Sequence, residues 1–310
     1  MPAAKSILAP VLFAGTVFFG VQRLSANPGD TKHSIIADGR ERTFQLHVPS
    51  SYDGSVPVSL VLALHGRLGN GEGQKRLSHF DKVSDEHGFI VVYPDGLDRS
   101  WADGRGATPS DKNGVNDVTF LSELIGRVER EYKIDRGRVF ATGFSNGGFM
   151  SARLACDLAD KIVAIGIVAA SLSTSTAASC KPSKPVSVLI MQGTKDPLVP
   201  FAGGPVGEKR DHGVTLSHEA SVEKFAQLNR CSASPQRKQL PDTANDGTAI
   251  GVVVYSACAS GTEVRGYTIE GGGHTWPLGV QYLPELVVGE TTHNLDGSET
   301  IWEFFSAHPR

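Results

Sequence analysis

The stretch VFATGFSNGGFMSARLAC, Val139 to Cys156, sets a short apolar run against a glycine cluster and then a helix-like run. Glycine costs conformational entropy inside regular structure, so Gly143, Gly147 and Gly148 around Ser145 mark a constrained backbone. The G-x-S-x-G spacing alone is weak: with 35 glycines in 310 residues, chance supplies roughly a third of one match. Context sharpens it. Val139 to Thr142 read as a strand, and Phe149, Met150, Ala152, Leu154 and Ala155 as a helix. A sharp strand-to-helix turn lifts a serine hydroxyl clear of the backbone, and it needs small neighbours where chain segments approach closely. Ser145 is therefore expected to be a nucleophile; the bland alternative is a glycine-rich loop that contains a serine.

A serine hydroxyl attacks an acyl carbon only with a base to take its proton and an acid to orient that base. On a strand–turn–helix scaffold of this kind the acid follows the serine and the histidine comes last. His274, in the glycine-rich EGGGHTWPLG after the strand-like VRGYTIE, is the candidate base. His218, in a helical pattern, and His293 and His308, beside the last helix, are expected as surface or capping residues. Asp196 in MQGTKDPLVP, just past a buried strand, is the candidate acid; otherwise it is an ordinary Asp-Pro turn. For the oxyanion the backbone N–H of Asn146 is one expected donor and that of Arg67 the other, with Gly66 next in line. His65 is expected to brace that loop rather than to act as a second base.

The same construction recurs outward from this motif. VSLVLALHG, GFIVVYPDG and VSVLIMQGTKDP are, like RVFATGFSNGG, short apolar runs ending in turns rich in Gly, Asp or Pro. Such runs fit strands buried on both faces of a largely parallel sheet. HSIIADGRERTFQLHVP predicts an opening hairpin around Asp38-Gly39. NDVTFLSELIGRVEREY, SHEASVEKFAQLNRC and SETIWEFFSAH carry helical periodicity. Alternating signals give an α/β class, a mostly parallel central sheet with helices on both faces. Ligands bind outside the carboxyl ends of such strands, where His65, Asp95, Ser145 and Asp196 all fall.

The remaining composition bounds the possibilities. No repeat or linker interrupts the chain, so residues 27–310 read as a single domain. A net charge of −3 without a long like-charge block gives nucleic-acid binding no support. Residues 1–26 have a secretory layout: Lys5, an apolar Ile7–Val21 run shorter than the ~20 residues a bilayer requires, then Leu24-Ser25-Ala26. Cleavage there predicts a secreted or periplasmic product with no membrane attachment; retention as an anchor is the other reading. In an oxidising compartment Cys156, Cys180, Cys231 and Cys258 are expected in disulfides, with three pairings possible. Pairing nearest neighbours closes the shortest loops. No C-x-x-C spacing suggests a zinc site, and no metal or cofactor is expected.

Taken together, LALHG, VVYPDG with Trp101, NDVTFLSELI, ATGFSNGGFMSARLAC, QGTKDPLVP and GGGHTWPL resemble secreted esterases of the polyhydroxybutyrate depolymerase and feruloyl esterase group. The likeness covers nearly everything after the leader and keeps the motif order. It implies an α/β-hydrolase fold with Ser145, Asp196 and His274 as the triad, and it fits the nearest-neighbour disulfides. Asn116 departs from a pair of acidic residues common in the family, leaving Asp117 expected as a helix N-cap. Leu278 stands where that family commonly has glycine, which alters the pocket rim. Trp101 and Trp276 are expected at the site mouth as substrate-binding residues, or else as packing anchors. Residues 201–213 form part of the rim or a solvated loop.

These readings converge on a secreted serine esterase, a monomer acting through an acyl-enzyme on small or oligomeric esters. Hydroxyalkanoate oligomers and feruloyl or acetyl esters of carbohydrates are the expected substrates. A serine peptidase and a non-catalytic binding protein on the same scaffold are the alternatives.

Overall fold

Asp38 and Gly39, both at positive φ, turn the chain between Gly29–Ala37 (β1) and Arg40–Val48 (β2), the antiparallel hairpin that the Asp-Gly pair predicts. The computed structural model describes Met1 and residues 28–310, except 208, 210 and 233. The expected signal segment, 1–26, lies outside the described residues apart from Met1. Among the described residues no helix is long and apolar enough to cross a membrane.

The four apolar runs become Val58–Leu64 (β3), Ile90–Pro94 (β4), Ile134–Phe144 (β5) and, after Ala164–Val168 (β6), Ser187–Gly193 (β7). Gly204–Pro205 (β8) and Val214–Thr215 (β9) make a separate small ribbon. Gln236–Gln239 (β10), Ala249–Tyr255 (β11) and Val264–Glu270 (β12) complete the set. Among the described residues ten strands form one sheet in the order β1-β2-β4-β3-β5-β6-β7-β12-β11-β10. Its middle, from β4 to β12, is parallel, and antiparallel pairs close both edges.

Because successive strand residues point to opposite faces, each central strand feeds two cores. Leu60, Leu62 and Leu64 join one with Phe120 and Leu124 of Asp117–Glu131, Phe149 of Asn146–Asp157 and Phe225 of His218–Leu228. Val61 and Ala63 join the other with Phe80 of Phe80–His87 and Trp302 and Phe305 of Gly297–Ala307. Fully burying each such side chain contributes roughly 1.5–3 kcal/mol, so apolar runs without polar alternation are what a doubly covered sheet requires.

Two disulfides pair nearest neighbours as expected. Cys156–Cys180 ties the helix after Ser145 to the end of Thr174–Ser179, and Cys231–Cys258 ties the segment after Leu228 to the turn after β11. One expectation is corrected. Asn116, not Asp117, caps the helix Asp117–Glu131, its side chain accepting from the Thr119 N–H. Asp117 is buried instead, 2.6 Å from the Arg42 guanidinium and 2.7 Å from the Ala102 N–H. Burial raises its pKa despite the Arg42 charge. It thereby fastens the 101–103 loop to the sheet.

Candidate active site

At the carboxyl end of β5 the chain reverses sharply into the helix Asn146–Asp157, with Ser145 at φ 54° and ψ −115°. A non-glycine residue held there costs on the order of 1–3 kcal/mol. The Ser145 N–H donates to the Val168 carbonyl on β6, which anchors the turn. The glycines have concrete causes. A methyl on Gly147 would stand 2.7 Å from the His65 carbonyl oxygen and nearer still to that of Leu64. One on Gly143 would stand 2.9 Å from the Gly147 Cα. Only bare backbone lets the turn slide under the end of β3. Asn146, the first helical residue and part of the cavity lining, has no carbonyl four residues back inside its helix, so its N–H has no intrahelical partner.

His274 follows β12 in a turn where its three preceding glycines lie against other backbone or packed side chains. A methyl on Gly273 would meet the Gly289 Cα at 2.5 Å. The His274 Nδ1 lies 2.8 Å from Asp196 Oδ2, with both side chains buried. Asp196 Oδ1 accepts from the Leu198 and Val199 N–H groups, each at 2.8 Å, so the Asp-Pro turn and the carboxylate's aim are one arrangement. With Nδ1 donating to Asp196, Nε2 is left as the acceptor. Ser145 and His274 both line one cavity of about 520 Å³ at the carboxyl ends of the strands.

The loop after β3 is braced as expected. His65 Nε2 accepts from the Gly96 N–H at 2.9 Å, which leaves Nδ1 to donate to the Gly66 carbonyl at 2.7 Å. Burial lowers the His65 pKa, in keeping with a neutral ring. Arg67 lines the cavity, and its guanidinium donates to His212 Nε2 at 2.9 Å. Asp95 is turned away from the cavity, accepting from the Gly71 N–H and the Thr43 hydroxyl.

Neither tryptophan reaches the cavity. Trp101 is fully buried: its indole N–H donates to the His65 carbonyl, and its backbone N–H to the Asn146 side-chain oxygen. Trp276 is buried edge-on against Phe80 and donates to Ser298. The expected mouth residues are packing anchors, because each indole N–H finds its partner inside the protein. Trp101 is a brace between the Ser145 turn and the loop after β3.

Residues the sequence did not single out do line the cavity. Arg105 lies over the Phe149 ring, 3.8 Å from its centroid, forks onto the buried Asp103 and donates to the His212 carbonyl. Asp103 also receives the Asn146 side-chain amide. Val206, Gly207, Asp211 and His212 make the 201–213 segment a wall of the site. Burial and the neighbouring Arg67 lower the His212 pKa. Phe144, Tyr282 and Leu283 form an apolar wall, the Tyr282 hydroxyl donating to the His274 carbonyl. The only local signal for Asp103 and Arg105 was a charged pair on a glycine-flanked loop beside Trp101.

A mostly parallel sheet whose strand-to-helix turn carries a serine into a cavity that a carboxylate-held histidine also lines is an α/β-hydrolase architecture. Comparison agrees: the solved acetyl xylan esterase from Aspergillus awamori superposes with a TM-score of 0.59 at 16% identity, over 89% of this chain and 99% of that one. A family model described as "Putative esterase" matches residues 36–235, and the chain belongs to that esterase family. Among curated relatives, "Putative esterase NocK" of Nocardia uniformis subsp. tsuyamanensis is 30% identical over 98% of this chain and 90% of its own length. "Probable feruloyl esterase C" of Aspergillus niger is 27% identical over 98% and 99%. The protein is a carboxylic ester hydrolase.

Proposed function

We propose that Ser145, Asp196 and His274 form the catalytic triad of this esterase. The observation that carries the reading is the shared cavity, which Ser145 enters from a strained turn and His274 enters with its Nδ1 held by Asp196. The Ser145 Oγ attacks the ester carbonyl while His274 Nε2 takes its proton. The tetrahedral oxyanion accepts hydrogen bonds from the Asn146 and Arg67 backbone N–H groups. Collapse expels the alcohol, which leaves with the proton held on His274. Water, deprotonated by the same imidazole, then hydrolyses the acyl-enzyme.

The substrate reading follows the wall chemistry. Arg67, Arg105, Asp211 and His212 offer a polar side suited to a hydroxyl-rich alcohol, and Phe144 with Tyr282 an apolar side suited to an acyl group. Feruloyl or acetyl esters of carbohydrates fit that division, and the relatives' names support it. Hydroxyalkanoate oligomers are the other expected class. Two disulfides support an extracytoplasmic site of action after removal of residues 1–26, with 27–310 working as a single monomeric domain.

Hydrolysis of p-nitrophenyl acetate by wild type and Ser145→Ala tests the triad. A fall of at least about 10³-fold is expected, and equal rates overturn the assignment. Methyl ferulate, acetylated xylan oligomers and hydroxybutyrate oligomers compared side by side rank the substrates.

A further inference from the structure

Among the described residues eleven large hydrophobic side chains are exposed, and six of them, Leu278, Val280, Tyr282, Leu283, Leu286 and Val287, fall within ten consecutive positions. Apolar residues scattered singly over a surface need no explanation, but a concentration does. Leu286 is 99% exposed. The segment is nonetheless firmly tied. The Leu278 N–H donates to the Thr292 carbonyl at its base, Gln281 spans it to the Gly289 carbonyl, and the His274 N–H donates to the Val288 carbonyl. Residues 278–287 are thus an excursion between the turn that carries His274 and the segment at Glu290 that bridges back to Gly272.

Two features connect this excursion to the reaction site. Tyr282 and Leu283 belong both to the exposed set and to the cavity wall, so the apolar surface continues from outside into the cavity that Ser145 lines. On the oxyanion side of the same cavity stands Leu68, 60% exposed. Leu68 and Leu278 both sit in the left-handed region, at φ 65° and 55°. That region costs an L-residue roughly 1–2 kcal/mol and a glycine nothing. Leu68 and Leu278 thus present two exposed apolar side chains, one in the cavity wall and one at the base of the excursion.

We infer that residues 278–287 form an apolar platform extending the acyl side of the cavity, and that it favours esters whose acyl group is long enough to run from Ser145 past Tyr282 and Leu283 onto it. The occupant is the acyl group rather than the alcohol, because Tyr282 of this segment packs on Phe144 in the apolar part of the lining, whereas the polar groups gather around His212, which Arg67 and Arg105 both contact. The inference rests on the ester-hydrolase reading of the site and deepens it to a substrate class.

The test uses Leu286→Ser/Val287→Ser, two positions outside the cavity wall, with p-nitrophenyl acetate and p-nitrophenyl octanoate below its micelle concentration. For octanoate kcat/KM should fall roughly five- to tenfold through KM, with acetate unchanged. An octanoate-to-acetate ratio equal to that of wild type overturns the platform. So does a wild-type dimer by light scattering that the double variant dissolves, since the face would then be covered by a second copy. Calorimetric titration of ethyl octanoate into Ser145→Ala, with and without the two serines, reads the platform apart from turnover. A similar five- to tenfold weakening supports it even if the triad assignment fails, and equal affinity removes it even if the triad stands.

Discussion

Gly147→Ala is the substitution that most directly probes how the fold would position Ser145 as the proposed nucleophile. The added methyl would lie 2.7 Å from the His65 carbonyl oxygen and 2.6 Å from the Leu64 carbonyl carbon. Ordinary contacts of this kind start near ~3.5 Å, so the Ser145 turn and the loop after β3 must separate by roughly 1 Å. These are the two segments that supply the proposed nucleophile and the two proposed oxyanion donors. A misplacement of about 1 Å costs on the order of 10²-fold in rate, and the overpacking a further ~1–3 kcal/mol of stability. The expected outcome is kcat on p-nitrophenyl acetate lowered about 10²-fold with KM changed less than about threefold, in a protein that still unfolds cooperatively. Gly126→Ala is the control: that glycine lies inside the helix Asp117–Glu131 with only the Arg130 side chain near, at 3.5 Å, and alanine there should stabilise by up to about 1 kcal/mol. A kcat for Gly147→Ala within threefold of wild type would refute the claim that backbone contact between the two segments sets the geometry.

Three further outcomes follow from other parts of the molecule. His218 is buried against Phe201 with neither ring nitrogen paired, and burial lowers its pKa to about 4. Below about pH 6.5 the unfolded chain takes a proton that the folded one refuses, so stability falls by about 1.4 kcal/mol per pH unit, to a loss of roughly 3 kcal/mol near pH 4, and then levels. Urea titrations of His218→Leu should lack that part of the acid slope, and an unchanged slope contradicts the assignment. Replacing Cys156 and Cys180 by serine opens a loop of 24 residues and should lower stability by roughly 3–4 kcal/mol, read as a reduced urea midpoint in the oxidised protein. Trp101→Phe leaves the His65 carbonyl without its indole donor and should remove about 1–3 kcal/mol of stability, lowering kcat while KM for acetate stays constant. A raised KM with kcat intact would return Trp101 to the substrate.

Much of the site was legible because its chemistry is written locally. Ser145 with Gly143 and Gly147, Asp196 after an apolar run, and His274 behind three glycines each carry a turn signal that a strand end demands. Their positions on β5, after β7 and after β12 follow from apolar runs that only a sheet covered on both faces could bury. β6 was not marked because Ala164–Val168 is short and carries a glycine at its centre, which locally reads as a break in a strand. Gly166 is small because a methyl there would meet Thr142 Oγ1 at 2.8 Å. That reason exists only across the sheet.

What local pattern could not decide was which face a side chain would meet. Trp101 and Trp276 carry the composition of a ligand-binding rim, yet their N–H groups found partners inside, while Tyr282 took a place in the cavity wall. His218 looked like a surface histidine on a helix, and the neighbouring Phe201 helped to bury it. Asp117 stood where a cap belongs, but Asn116 reached the Thr119 N–H in the first turn of the helix and left Asp117 for Arg42, 75 residues earlier. The sequence by itself determined the class of sheet, the three candidate reactive side chains and their order, since periodicity and turn chemistry act over a few neighbouring residues. The walls around those side chains, and the apolar excursion beside them, were decided by tertiary packing, because burial and hydrogen-bond partners come from residues far apart in the chain.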